Sequence, residues 1–224
     1  MGRAIMVRSM ALTLYDYYRS SASYRVRIAL NLKGQAVERA HVHLRKGEQQ
    51  QHPYLALNPM GLVPLIETDD GARLTQSLAI IEWLDETIPR PPLLPGDALG
   101  RARVRAIALA IACDIHPLNN LRVLQYLTGP LALSETTRDA WYAHWCEVGL
   151  NALETQLARE HSTGRFCHGD APTLADVCLV PQLANARRVA LDVARWPTIA
   201  RIEIACNALP AFVNAAPAKQ PDAE

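Results

Sequence analysis

The stretch Tyr17-Tyr18-Arg19-Ser20-Ser21-Ala22-Ser23-Tyr24-Arg25-Val26-Arg27 sets two adjacent hydroxyls, Ser20 and Ser21, where a strand hands over to a helix. Unpaired amides and the helix dipole at such a terminus favour an anion. The same serines could equally serve as helix caps, and the local sequence leaves both uses open. Further on, Val63-Pro64 opens a later strand. A proline there predicts a cis bond that would turn the preceding backbone groups toward a peptide-like ligand. Gln76-Ser77 then opens another helix, a second amide-rich terminus able to hold a carboxylate. In the second half, Asp114-Ile115-His116-Pro117-Leu118-Asn119-Asn120-Leu121-Arg122 and Asn185-Ala186-Arg187-Arg188 add a histidine before a helix-breaking proline and cations that are ordinary surface groups on local sequence alone. His41-Val42-His43 offers two imidazoles without a nearby third ligand, so an ordinary strand face is expected there and no metal. Dinucleotide, phosphate-loop, serine-hydrolase and zinc-protease motifs do not occur.

The elements that must carry these residues are bounded by length and composition. With 224 residues, 50% hydrophobic and 20% charged, the chain can bury a core without staples, which excludes disordered, collagenous and coiled-coil classes. At about 150 residues per domain, one large or two small domains fit. The longest apolar run found, Ala106 to Cys113, is far short of the ~20 residues that span a bilayer. The first residues lack a long apolar segment, and Met10 stands as a candidate functional start. Net charge is +1, with 11 basic and 9 acidic residues up to Gly96 and 12 and 13 beyond it, so neither half has the excess that phosphate neutralisation requires. Five scattered cysteines without a Cys-x-x-Cys pair fit reduced thiols in the cytoplasm.

Leu12-Thr13-Leu14-Tyr15-Asp16 alternates as a strand, and a helix after it stops at Lys33-Gly34. Val37 to Leu44 supplies a second strand within reach of a right-handed parallel crossover. Val63 to Glu67 and Ala72 to Thr75 flank Asp69-Asp70-Gly71 as a hairpin, and Ile80, Ile81, Leu84 and Ile88 mark a helix face ended by Pro89. Pro89, Pro91, Pro92, Pro95 and Gly96 then separate this mixed half from a helical one. There Asp97 caps a helix toward Cys113, long helices cover about 118–128 and 135–160, and Thr173-Leu174-Ala175-Asp176 forms a capping box. The Ala/Pro-rich tail from Ala215 is expected to be loosely ordered.

Four words of this sequence, Arg19 to Leu30, Ala56 to Pro64, Gln76 to Leu84 and Asp176 to Gln182, resemble glutathione transferases of the zeta class and lie in register from Leu12 to Asp222. The resemblance implies an α/β thioredoxin-like N-terminal domain over 11–90, an all-α C-terminal domain over 97–224, a homodimer and glutathione as cofactor. One word departs: the usual Ser-Ser-Cys is Ser20-Ser21-Ala22 here, so no protein cysteine at that place can be essential. By resemblance Ser20, with Ser21 beside it, is catalytic and donates to the glutathione sulfur, Tyr18 being the rival donor. Gln49, Val63, Pro64, Gln76 and Ser77, together with His116 and Asn120, would hold the cofactor. Arg19, Arg122 and Arg188 would bind the carboxylates of a diacid, since guanidinium forks match carboxylates. The implied activity is glutathione-dependent cis–trans isomerisation of a maleyl-type diacid in aromatic amino-acid catabolism, with maleylacetoacetate first and maleylpyruvate close behind. A detoxifying transferase and a non-catalytic binding protein on this fold are the other classes. Nucleic-acid and membrane partners are not expected.

Overall fold

The computed structural model describes residues 11–224; the candidate start at Met10 lies outside the described residues. Two compact units divide the chain, one running to Pro91 and completed by Ala211–Glu224, the other Pro92–Pro210. The break thus falls inside the proline-rich stretch, and the last segment, expected in the second domain, belongs to the first unit. The expectation of a loose tail is corrected as well: Ala215 is 1% exposed because its carbonyl accepts from the buried Arg27 Nε at 3.0 Å.

In the first unit, β1 (Leu12–Asp16), α1 (Ser21–Lys33) and β2 (Glu38–His41) form a parallel crossover. A short helix α2 (His52–Leu55) precedes the hairpin of β3 (Leu65–Thr68) and β4 (Arg73–Thr75), and α3 (Ser77–Thr87) closes the unit. Sheet order is β2-β1-β3-β4, with β3 antiparallel to β1. Gly34 ends α1 at φ 63° and Gly71 turns the hairpin at φ 84°, left-handed positions that glycine takes without a Cβ clash. The second strand is shorter than expected because the chain leaves the ladder after His41 and turns at Leu44–Lys46. β3 starts two residues after Val63, since Pro64 has no N–H for a ladder. Both helices pack on each other, and the buried Lys33 Nζ locks their ends by donating to Asp85, the Ile88 carbonyl and the Pro91 carbonyl, each at 2.6 Å.

The second unit is helical: α4 (Ala98–Leu109), a wider π-helical segment Ala110–Ile115, a 3-10 turn His116–Asn119, α5 (Leu121–Thr128), α6 (Glu135–Arg159), α7 (Leu174–Arg187) and α8 (Pro197–Asn207); α9 (Pro210–Val213) begins the segment that belongs to the first unit. Asp97 caps α4 by accepting the Gly100 amide at 2.8 Å. Buried on nearly every side, α7 is the helix against which α4 and α8 pack. Its start is fixed by Asp176, fully buried, which accepts from the Thr173 amide and hydroxyl and from the Cys167 amide. Burial nevertheless holds the Asp176 carboxyl above its ordinary pKa. No helix among the described residues is long and apolar enough to cross a membrane.

All five cysteines are unbridged; Cys113 is exposed and the other four are buried. Burial pushes the Cys146 thiol up to about 11 and raises Cys167 and Cys206 too. Native protein titrated with a thiol-disulfide reagent at neutral pH is therefore expected to release one equivalent fast, from Cys113, and the rest only on unfolding. Fast release of two or more equivalents would contradict this packing.

Candidate active site

One end of the sheet collects the first unit's candidate residues. β1 and β2 run parallel and end there at Asp16 and His41; β3, antiparallel, begins there with Leu65 opposite Tyr15 and Thr75, and β4 ends there. Ser20-Ser21 comes just after β1, Gln49 after β2, Val63-Pro64 just before β3 and Gln76-Ser77 just after β4. Loops gathered at strand ends are where rigid α/β sheets hold ligands.

Ser20 is the N-cap of α1: its Oγ accepts the Ser23 amide at 3.1 Å, and its own amide donates to the Tyr17 carbonyl at 3.0 Å. Capping uses only an oxygen lone pair, so the hydroxyl proton is still available to donate to an anion. Ser20 is half-buried, Ser21 and Ser23 are buried, and the Ser23 Oγ has no partner among the described residues. Tyr18, the rival donor, is 7% exposed.

Gln49 is also buried, with Oε1 unpartnered among the described residues. It is held against the segment before β3 by Gly61, where a Cβ would stand 3.0 Å from the Gln49 carbonyl and 2.5 Å from Gln50 Nε2. The Val63-Pro64 bond is cis. Tyr54 donates to the Leu62 carbonyl at 2.7 Å, and Asn58 Nδ2 reaches the same carbonyl, which steadies the approach to Val63. Gln76 has φ 67° and ψ 114°, a left-handed backbone for a residue with a Cβ. Ser77 behind it is buried and accepts from Arg25 Nη1 at 3.3 Å, which ties the two helix N-termini together. A buried acceptor at Gln49, a backbone segment outside the ladder at Val63 and two helix N-termini fit a small anionic peptide such as glutathione.

The second unit places its candidates around one turn and at one helix end. His116 is half-buried in the 3-10 turn after the π-helical segment. Asn120 caps α5 by accepting the Arg122 amide at 3.2 Å, and the Arg122 side chain is exposed. Arg188 is exposed at the end of α7, and its neighbour Arg187 forms a two-pronged pair with Glu203 at 2.6 Å on each prong. Arg19, in the first unit, is half-buried.

Sequence reasoning missed the side chains that hold the first unit's turn. Arg27 is 3% exposed and donates to Asp16 at 3.0 Å and to the carbonyls of Tyr17 at 3.4 Å and Tyr18 at 3.0 Å. Asp222 accepts the Tyr18 amide at 2.8 Å. The signal for Arg27 was available: Leu12, Leu14 and Asp16 share the inward face of β1 by period two, and an inward carboxylate demands a cationic partner. Nothing in the sequence pointed to Asp222. The two histidines considered as ligands have other partners, His41 Nδ1 lying 3.4 Å from Asp222 and His43 Nε2 2.5 Å from Glu224.

Known domain families match in both halves of the chain. The glutathione S-transferase N-terminal domain matches residues 14–92 and the C-terminal domain residues 139–211. The chain is 50% identical to a probable maleylacetoacetate isomerase of Vibrio cholerae, covering 96% of this chain and 99% of the relative, and 50% identical to a maleylpyruvate isomerase of Ralstonia, covering 93% and 98%. Among solved structures it resembles a holo maleylpyruvate isomerase described as a bacterial zeta-class glutathione S-transferase (TM-score 0.92, 48% identity, 95% and 100% coverage). It also resembles a Methylobacterium extorquens maleylacetoacetate isomerase with bound malonate and glutathione (TM-score 0.92, 42% identity, 95% and 99% coverage).

The backbone and burial at this end of the sheet lead to two expected outcomes. Gln76→Gly relieves the left-handed strain and is expected to stabilise the fold by about 1 kcal/mol, read as a rise in Tm. Burial pushes the phenols of Tyr17 and Tyr54 up to about 12. A raised folded pKa gives stability that is complete below the unfolded value near 10 and is lost as pH climbs through about 12. Ultraviolet titration should thus show two tyrosines ionising late, with unfolding setting in as they do.

Proposed function

The chain belongs to the zeta class of glutathione S-transferases, and from that membership we propose a glutathione-dependent cis–trans isomerase of maleyl-type diacids, with maleylacetoacetate its substrate. The carrying observation is the Ser20-led N-terminus of α1, set at the same sheet end as Gln49, Val63 and Gln76-Ser77. Bound glutathione would supply a thiolate that adds reversibly to the cis double bond, allowing rotation about the resulting single bond before the thiolate leaves. The protein's part is to keep that sulfur ionised at neutral pH, which a donating Ser20 hydroxyl and the positive end of α1 would do. Ser21 stands beside it. Gln49, the Val63-Pro64 backbone and Gln76-Ser77 would orient the peptide, with His116 and Asn120 completing the hold.

A small diacid offers little apolar surface, so its binding must come largely from charge-assisted hydrogen bonds. Arg19, Arg122 and Arg188 are the side chains assigned to its carboxylates. Relatives with bound malonate, or with dicarboxyethyl glutathione and citrate, support a site for such anions. Maleylpyruvate is the second reading, favoured by the Ralstonia relative and by the holo structure. The reading carries with it a homodimer and a cytoplasmic location.

Steady-state kinetics on both substrates, with and without glutathione, test this. Turnover should require glutathione, and Ser20→Ala should lower kcat/KM by about 2 kcal/mol of transition-state stabilisation, roughly thirtyfold, with Ser21→Ala costing less. Arg188→Lys keeps the charge but loses the planar fork, so it should raise the KM for the diacid and spare glutathione affinity. Full turnover in Ser20→Ala together with its loss in Tyr18→Phe would move the donor to Tyr18. Turnover without glutathione would overturn the reading.

A further inference from the structure

The turn from Tyr17 to Ser20 is held from behind by two side chains, Arg27 and Asp222, far apart in the chain. Arg27 donates to the carbonyls of Tyr17 and Tyr18, and Asp222 Oδ2 accepts the Tyr18 amide at 2.8 Å. Asp222 is itself carried on a braced segment. The Ala215 carbonyl is fixed by Arg27, and Gln220 accepts from Arg39 Nη1 at 3.0 Å and donates back to the carbonyls of Asn214 and Ala216. The second oxygen of Asp222 faces His41 Nδ1 at 3.4 Å. The tail thus meets the turn's backbone through the Asp222 carboxylate.

We propose that Asp222 is a positioning residue for Ser20: by taking the Tyr18 amide it fixes the turn two residues ahead of the hydroxyl that serves the bound sulfur. This rests on the proposed role of Ser20 at that sulfur. Asp222 touches no reacting atom; it acts through the backbone. Ser20's own amide bonds the Tyr17 carbonyl, so the held turn and the cap are one unit, and a slip at Tyr18 is passed to the hydroxyl and to the first amides of α1. Preorganised donors lose their value when misplaced by a fraction of an ångström to an ångström. Unlike Arg27, Asp222 lies at the edge of the unit with a 13% exposed side chain, so its loss leaves the core intact.

Ultraviolet titration of the thiolate of glutathione bound to the full chain reads this without any diacid substrate. Asp222→Ala is expected to raise the apparent pKa of the bound thiol by about one unit, a tenfold loss of thiolate at any pH well below that pKa, and turnover on that acid limb should follow. Glutathione Kd should stay within about twofold and Tm within the few degrees that one part-buried hydrogen bond commands. Asp222→Asn retains an acceptor oxygen and should recover most of the thiolate. An unshifted thiol in Asp222→Ala, while Ser20→Ala shifts it, overturns the proposal and leaves the functional reading standing. An Asp222→Asn variant as impaired as Asp222→Ala, or a drop in activity accounted for by Kd or Tm, overturns it equally. A thiol shift in Asp222→Ala with no isomerisation by the wild type supports the positioning role and sinks the functional reading instead. No shift in Ser20→Ala removes both.

Discussion

Asp16 is fully buried at the end of the central strand, and Arg27, 3% exposed, reaches its carboxylate at 3.0 Å from one helix away. Two charges out of water cost several kcal/mol each, and their attraction offsets that only if the remaining protons and lone pairs are used. Desolvation weakens the hold of Arg27 on its proton, and Asp16 opposes the shift. Three more guanidinium protons go to the carbonyls of Tyr17, Tyr18 and Ala215, and Asp16 takes a second cation from Arg39 on β2. One buried pair thus fixes the exit of β1, the entry of α1, the neighbouring strand and the C-terminal segment together. The geometry around Ser20 is a consequence of satisfying that pair.

The second unit has its own buried carboxylate doing comparable service. Asp176 closes the start of α7 and joins it to the loop at Cys167, and α7 in turn supports α4, α8 and the π-helical segment. At that segment Ile115 lies against Gly149 of α6, where a Cβ would stand 2.3 Å from Ile115 side-chain atoms. The extra residue of a π-turn and a glycine opposite it bring the His116–Asn120 turn to its place and start α5 at Asn120. Arg122 is then carried at the start of α5 and Arg188 at the end of α7, both exposed.

The proposed chemical role of Ser20 does not compete with its role as a helix cap. A cap needs an acceptor and a thiolate needs a donor, and one hydroxyl supplies both. Ala22, where the family usually has cysteine, leaves the helix start chemically simpler. The hydroxyl and the amides are then the groups of this turn that can act on a bound sulfur.

Much of the frame was legible in the amino-acid sequence because its signals are local. The alternation of β1, Gly34 after α1, the Asp69-Asp70-Gly71 turn, the prolines around residue 90 and the Thr173–Asp176 box each act within a few residues, and each stands in the structure where the spacing puts it. The serine pair, the residues at the later strand ends and the likeness of whole words to a family pointed to the cofactor. What tertiary structure decided was everything that depends on partners far apart in the chain. That Arg25 and Arg27 are inside rather than on a solvated helix face, that the tail belongs to the first unit, and that Asp222 meets the Tyr18 amide across 204 positions are such facts. A buried charge announces in sequence that it needs a partner; only the folded chain determines which distant residue provides it.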